Sequence, residues 1–383
     1  MLATYSLKLP AAVYSGENAM DSLDGILADG TTCVALFTEQ VMLDLGLCDR
    51  ALEIMKERGI EVKIKADLAV EPTYSQVQEV VDWYCESGAD RILAIGGGSV
   101  MDAAKLVGVL ADSDYTVHDL LGNPALAKKQ VKCIMVPTTA GTGAEATPNA
   151  IVAVPEDELK VGIVNPAMIA DEVILDDTMI KNLPRPIAAA TGIDALCHAI
   201  ECYTSAKANP FSDTFALEAF DLIMNNIEAA CDDPEAVEAK RAMQLASFYA
   251  GIAITASGTT AVHALSYPLG GKFHVPHGVS NAILLMPVMR FNEPAIRERL
   301  AAAYDRAMGG GAATVEEKSA AVIERMGAIV EYLDIPTKLN QLGVEDADVE
   351  QLAAAGMTVQ RLLQNNMREV ALDDARAIYA QIL

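Results

Sequence analysis

The chain has 383 residues, 52% hydrophobic and 21% charged, which suits two globular domains with their own cores and excludes a disordered polypeptide. A formal charge of −25 disfavours nucleic acid and anionic membrane as partners, since neither polyanion gains by approaching such a surface. No apolar run reaches the length of a membrane span, and the opening stretch Met1 to Pro10 lacks a basic segment followed by a long apolar core, so the expected location is the cytoplasm.

In chain order, short β-branched runs alternate with helical segments. Thr32 to Thr38 reads as a strand, Val41 to Arg58 as a helix ended by Gly59, and Val62 to Lys65 as a second strand. A helix from Tyr74 to Ser87 closed by Gly88, a strand Arg91 to Ile95, a helix Val100 to Leu110 and a strand Val131 to Val136 follow. This alternation predicts a parallel sheet with helices on both faces. Glu39, the second residue after the strand run to Phe37, stands where an acid accepts hydrogen bonds from the ribose hydroxyls of an adenosine, although a solvated charge at a helix start explains it too.

Between strand and helix lies Gly96-Gly97-Gly98-Ser99, with Asp102 and Lys105 further along the helix. Such a turn presents backbone N–H groups and a positive dipole end to an anion and suits a pyrophosphate. After the next strand, Gly141-x-Gly143-x-x-Ala146 matches the dinucleotide fingerprint only formally, because Pro148 and the run Ile151 to Val154 follow it instead of a helix. Thr138, Thr139 and Thr142 of that loop are better read as hydroxyl donors to a nucleotide, and Lys160 is grouped with them as a cofactor-binding residue.

From Pro184 the pattern changes to long Ala/Leu/Met segments, Pro210 to Ala230, Glu235 to Ala256 and Ala313 to Leu333. The expected division is residues 1–183, an α/β nucleotide-binding domain, and residues 184–383, an all-helical bundle. Four of the five histidines fall between Asp194 and His277. Asp194 and His198 lie four apart in an apolar run, one turn apart on one helix face. Further on, a helix carrying His263 is expected to stop at Pro268 and Gly270-Gly271, after which the chain returns with His274 and His277. Three imidazoles and a carboxylate can then converge into a donor set that suits Fe(II) or Zn(II) and poorly suits Ca(II) or Mg(II). Seven cysteines without a Cys-x2-Cys pair read as buried, reduced thiols.

Asp194-x3-His198, His263, Pro-His277-Gly and the two loops together resemble the iron-containing (group III) alcohol dehydrogenases. The resemblance implies that Asp194, His198, His263 and His277 hold one divalent metal, Fe(II) before Zn(II), that binds the alcohol oxygen. It implies that the loops hold NAD(H), and that the chain interconverts a small primary alcohol and its aldehyde as a homodimer or larger homo-oligomer. In that family substrates range over ethanol, butanol, lactaldehyde, propanediol and charged short aldehydes such as sulfoacetaldehyde. Four positions depart from the family pattern. Glu71 replaces an asparagine, Ala144 a serine and Met367 a proline, while Tyr267 stands where many members place a proton-relaying histidine. Tyr267 is therefore a candidate proton-path residue, and His274, two residues before Pro276, is a second candidate for which a purely structural role stays equally open. The nearest alternative is an NAD- and metal-dependent lyase like dehydroquinate synthase, whose metal ligands include a glutamate and fewer histidines.

Overall fold

The computed structural model describes residues 4–157 and 159–383; residues 1–3, the expected start of the first domain, and Glu158 lie outside the described residues. Two compact units emerge. One spans Lys8–Leu183, and the other comprises Pro184–Leu383 together with the described residues up to Leu7. The N-terminal segment thus belongs with the helical unit, where Tyr5 sets its ring edge-on to Phe211 at 5.4 Å.

The first unit runs β1 (Ala12–Gly16), α1 (Ser22–Ile26), β2 (Cys33–Phe37), α2 (Gln40–Asp44), α3 (Asp49–Glu57), β3 (Glu61–Lys65), α4 (Tyr74–Ser87) and β4 (Arg91–Gly96). It continues with α5 (Gly98–Leu110), α6 (Val117–Gly122), β5 (Cys133–Pro137), β6 (Asn149–Val154), β7 (Leu159–Val164) and β8 (Glu172–Asp176). Six strands form one parallel sheet in the order β1-β8-β5-β4-β2-β3, and β6 and β7 pair as a separate antiparallel hairpin.

Strands β2, β4 and β5 are buried along their whole length, the pattern of a sheet covered on both faces. Val34, Leu36, Leu93, Ile95, Ile134 and Val136 face one core with Leu23, Ile54 and Met55. The alternate residues face α4 and α5: Phe37 meets Trp83 edge-on at 5.8 Å, and a Cβ on Gly108 would lie 2.6 Å from Cys133 Sγ. The single helix expected over Val41–Arg58 is two, because Gly46 takes a left-handed φ of 72° between α2 and α3.

The second unit has no strand among its described residues beyond one isolated bridge between Ser205 and Asn366, and its helices are α7 (Arg185–Tyr203), α8 (Pro210–Asp232), α9 (Val237–Ala256), α10 (Ala261–Phe273), α11 (His277–Ala307), α12 (Val315–Tyr332), α13 (Val349–Gly356), α14 (Gln360–Leu363) and α15 (Leu372–Gln381). Helix α7 is buried from Gly192 to Tyr203 and packs against α8, α9 and α11. Contrary to the sequence expectation, α10 does not stop at Pro268 but runs on to Phe273. Proline in a helix interior removes one N–H and crowds a carbonyl one turn back. Here side chains meet carbonyls of that turn: the Tyr379 hydroxyl donates to Leu265 O at 2.5 Å and Ser266 Oγ to His263 O at 3.0 Å. His274, left-handed at φ 53°, then caps the helix.

Among the described residues no single helix is long and apolar enough to cross a membrane; α9 and α10 reach that composition only jointly, across a 105° bend.

Helices α7 and α11 approach so closely that a Cβ on Gly278 would lie 2.2 Å from the Ala190 carbonyl oxygen. Backbone cannot yield as a flexible side chain does. Gly278→Ala is expected to destabilise the helical unit by about 1–3 kcal/mol, read from the midpoint of urea unfolding. An unchanged midpoint would show that the two helices can part without cost.

Candidate functional site

Helix α7 carries Asp194, His198 and Glu201 in one row, at spacings of four and three. Asp194 is 2% exposed and His198 5%. Helix α10 supplies His263 from its first turn, and α11 begins with His277 directly after Pro276. Three separate helices therefore deliver the four side chains.

Asp194 Oδ1 stands 3.7 Å from His198 Nε2, 3.6 Å from His263 Nε2 and 3.6 Å from His277 Nε2. One donor atom from each of the four residues falls within 4.8 Å of all the others. Donors about 2.1 Å from a tetrahedral ion lie about 3.4 Å from one another, so the Asp194 separations are those of ligands to one divalent ion. The rings of His198 and His263 stack at 4.6 Å with 22° between planes, and His277 is tilted 59° to His263.

Electrostatics point the same way. Burial alone would raise the Asp194 carboxyl, yet the positive charge that His198, His277 and His263 bring beside it holds it well below the ordinary carboxylate range. Burial alone would depress His263, but Glu201 and Asp194 together lift it to about 9. The pocket is built to hold positive charge at its centre.

Two contributors escaped the sequence reading. Glu201, 0% exposed, hydrogen-bonds His263 Nδ1 through Oε2 and accepts the Thr260 N–H (3.0 Å), Thr260 Oγ1–H (2.5 Å) and Val262 N–H (2.8 Å) at Oε1. Asn281, one turn beyond His277, donates Nδ2 to Asp194 Oδ1 at 2.7 Å and lies 3.1 and 3.2 Å from Nε2 of His263 and His277. Its buried Oδ1 has no partner among the described residues. Only the i, i+3 spacing of Glu201 from His198 hinted at the first; for Asn281 the signal was its i, i+4 relation to His277.

The remaining candidates divide. Tyr267 is buried at 7% exposure, with its ring 6.1 Å from that of His277. His274 is exposed and stands outside the four-residue cluster.

In the α/β unit the glycine loop lies at the C-terminal end of β4, and Glu39 follows the adjacent β2. Such strand ends are where open parallel sheets bind ligands. The N-terminus of the 13-residue α5 has no side-chain cap, which leaves its first N–H groups to an anion. Packing explains two of the three glycines: a Cβ on Gly96 would meet Val100 at 2.6 Å, and one on Gly98 would meet Thr142 at 2.9 Å. A Cβ on Gly97 would touch Thr139 only at an ordinary 3.7 Å. The Thr138 hydroxyl is buried and has no partner among the described residues.

Asp102 turns inward, taking the Lys105 ammonium at 2.9 Å and the Ile151 N–H at 3.0 Å, so its carboxylate anchors α5 to the hairpin. Lys160 is ion-paired with Glu71 at 2.6 Å; Glu71 sits at φ 52°, with its N–H donated to Ser99 Oγ. Glu39 is half-buried, and desolvation raises its carboxyl.

Residues 10–177 match the description "Iron-containing alcohol dehydrogenase", and residues 188–383 match "Fe-containing alcohol dehydrogenase family, C-terminal". The chain belongs to the iron-containing alcohol dehydrogenase family. It is 33% identical over 376 residues to the long-chain-alcohol dehydrogenase 1 of Geobacillus thermodenitrificans, covering 97% of this chain and 94% of the relative. Against the lactaldehyde reductase of Escherichia coli the figures are 31% over 376 residues and 97% of each chain. The solved structure of a 1,3-propanediol oxidoreductase superposes with a TM-score of 0.95 at 28% identity, covering both chains completely. An iron-containing alcohol dehydrogenase is by class an NAD-linked oxidoreductase acting on alcohols and aldehydes, and this membership sets the lyase alternative aside.

Glu145, in the second loop, is 2% exposed, and burial lifts its carboxyl from 4.5 to about 7. A carboxyl raised on folding contributes stability that is complete below its unfolded value and is lost as pH climbs through the folded one. Relative to Glu145→Gln, the parent is therefore expected to be less stable at about pH 8 than at about pH 5, measured by chemical denaturation of both proteins. An equal stability difference at the two pH values would contradict the assigned burial.

Proposed function

We propose that this chain interconverts a small primary alcohol and its aldehyde, with NAD(H) on the α/β loops and one Fe(II) held by Asp194, His198, His263 and His277. The observation that carries the reading is the near-equal spacing of Asp194 Oδ1 from three Nε2 atoms, 3.6 to 3.7 Å. When bound, the metal supplies a Lewis acid that polarises the carbonyl oxygen, and the reduced nicotinamide supplies hydride.

The chain's own residues do the rest. Asp194 brings negative charge and the imidazoles bring neutral lone pairs, a set chosen for a borderline divalent cation. His277 has a side chain 32% exposed while the other three donors are nearly buried, so the open side of the cluster lies beside it. Tyr267 walls that side, which makes its hydroxyl the candidate proton donor, and His274 acts as the helix cap rather than as a relay. Gly96, Gly97, Gly98 and Ser99 offer backbone N–H groups to the diphosphate, Thr138, Thr139 and Thr142 offer hydroxyls, and Glu39 accepts from the adenosine ribose. Lys160 is held beside Ser99 through Glu71.

We place the enzyme in the cytoplasm, where its seven free cysteines stay reduced. It acts there as a homodimer or larger assembly, supported by the edge strand β1, whose Val13 and Tyr14 are 41% and 37% exposed.

Reduction of short aldehydes by NADH is expected to disappear on chelation and return with Fe(II) or Zn(II), and His263→Ala and His277→Ala should each lose most bound metal. Stoichiometric metal in both variants would overturn the ligand assignment. For the cofactor, a 2′-phosphate about 4 Å from Glu39 meets a repulsion of about 4 kcal/mol at an effective dielectric of 20, and even a third of that gives about a tenfold preference. NADH should therefore exceed NADPH by at least about tenfold in kcat/KM, and Glu39→Gly should narrow the gap by improving NADPH. Equal use of both cofactors by the parent would refute the role of Glu39.

A further inference from the structure

We propose that Glu201 is the positioning residue that makes His263 a metal ligand, by dictating which nitrogen of the ring carries the proton. The proposal rests on the metal-site reading above and adds a residue that touches neither metal nor substrate.

The argument lies in the different work of the two carboxylate oxygens. At Oε1 three donors converge: the Thr260 N–H, the Thr260 hydroxyl and the Val262 N–H, at 3.0, 2.5 and 2.8 Å. Two of these are backbone groups at the start of α10, which cannot reverse their polarity. Oε2 is left facing His263 Nδ1. A carboxylate so surrounded only accepts, so Nδ1 carries the proton and Nε2 keeps its lone pair. That lone pair is the one directed at the site, where Nε2 lies 3.6 Å from Asp194 Oδ1 and 3.1 Å from the donating amide of Asn281. Ligating histidines are commonly held this way by an outer carboxylate, whose loss typically costs 10–100-fold in metal affinity.

The same asymmetry tells what a near-isosteric change does. In Glu201→Gln the fixed backbone donors demand that the amide oxygen take the place of Oε1, which leaves the NH2 group facing Nδ1. Nδ1 must then accept, the proton moves to Nε2, and the lone pair needed by the metal is gone. A side chain that only filled space would be replaced by glutamine without effect.

The test is the Zn(II) affinity of parent, Glu201→Gln and His263→Ala by competition with a chromophoric chelator, together with 15N spectra of histidine-labelled, zinc-loaded parent. The expected results are a 10- to 100-fold weaker Kd for Glu201→Gln, with the far-ultraviolet circular dichroism of the parent, and a His263 ring protonated at Nδ1 in the parent. Parent-like affinity in a folded Glu201→Gln, with His263→Ala still losing metal, overturns the role of Glu201 and leaves the metal site standing. Metal retained by His263→Ala overturns both. Should Glu201→Gln not fold, the parent spectrum decides alone: a ring protonated at Nε2 contradicts the proposal.

Discussion

Two carboxylates stand inside the helical unit, Asp194 at 2% and Glu201 at 0% exposure. Taking an ion out of water costs several kcal/mol even after relaxation, unless opposite charge and hydrogen bonds compensate it. The surroundings of these two residues provide that compensation. Glu201 is met by three donors from the start of α10 and by His263, and Asp194 by the amide of Asn281 and by the imidazoles. A divalent cation completes the balance. The relative placement of α7, α10 and α11 follows, since each delivers a group that the buried charges require. The closeness of Gly278 to Ala190 is one consequence, because a larger residue beside His277 would push its helix away.

The α/β unit meets an ion of the other sign by other means. Its candidate anion site uses no buried cation: Lys105 is committed to Asp102 and Lys160 to Glu71. What remains is an uncapped helix start and a glycine turn, both backbone dipoles, and a threonine hydroxyl without a partner among the described residues.

Much of this was legible in the sequence. The alternation of short strands with helices shows in β2, β4 and β5, whose runs are apolar throughout because both faces are covered. The i, i+4 spacing of Asp194 and His198 shows because a helix turns chemistry into periodicity. What stayed hidden depended on tertiary partners. Glu201 acts on a histidine 62 residues away, and locally only its i, i+3 spacing from His198 marks it. Pro268 reads as a stop until the Tyr379 hydroxyl, 114 residues away, donates to the Leu265 carbonyl one turn before the proline. The glycine triplet read as a phosphate-binding turn or a tight strand-to-helix connection, and what the sequence did not show is the packing of Gly96 against Val100 and of Gly98 against Thr142. Asp102, placed by spacing at the loop, is drawn inward by Lys105 and Ile151.

The central claim is that Asp194, His198, His263 and His277 gather round one divalent ion with nitrogen and oxygen donors only. X-ray absorption at the iron edge of the protein as isolated tests it most directly. The account predicts one oxygen and three imidazole nitrogens from the protein at about 2.0–2.2 Å, with the outer-shell scattering of three imidazole rings. A sulfur shell near about 2.3 Å, or an oxygen-only six-fold shell, would contradict it.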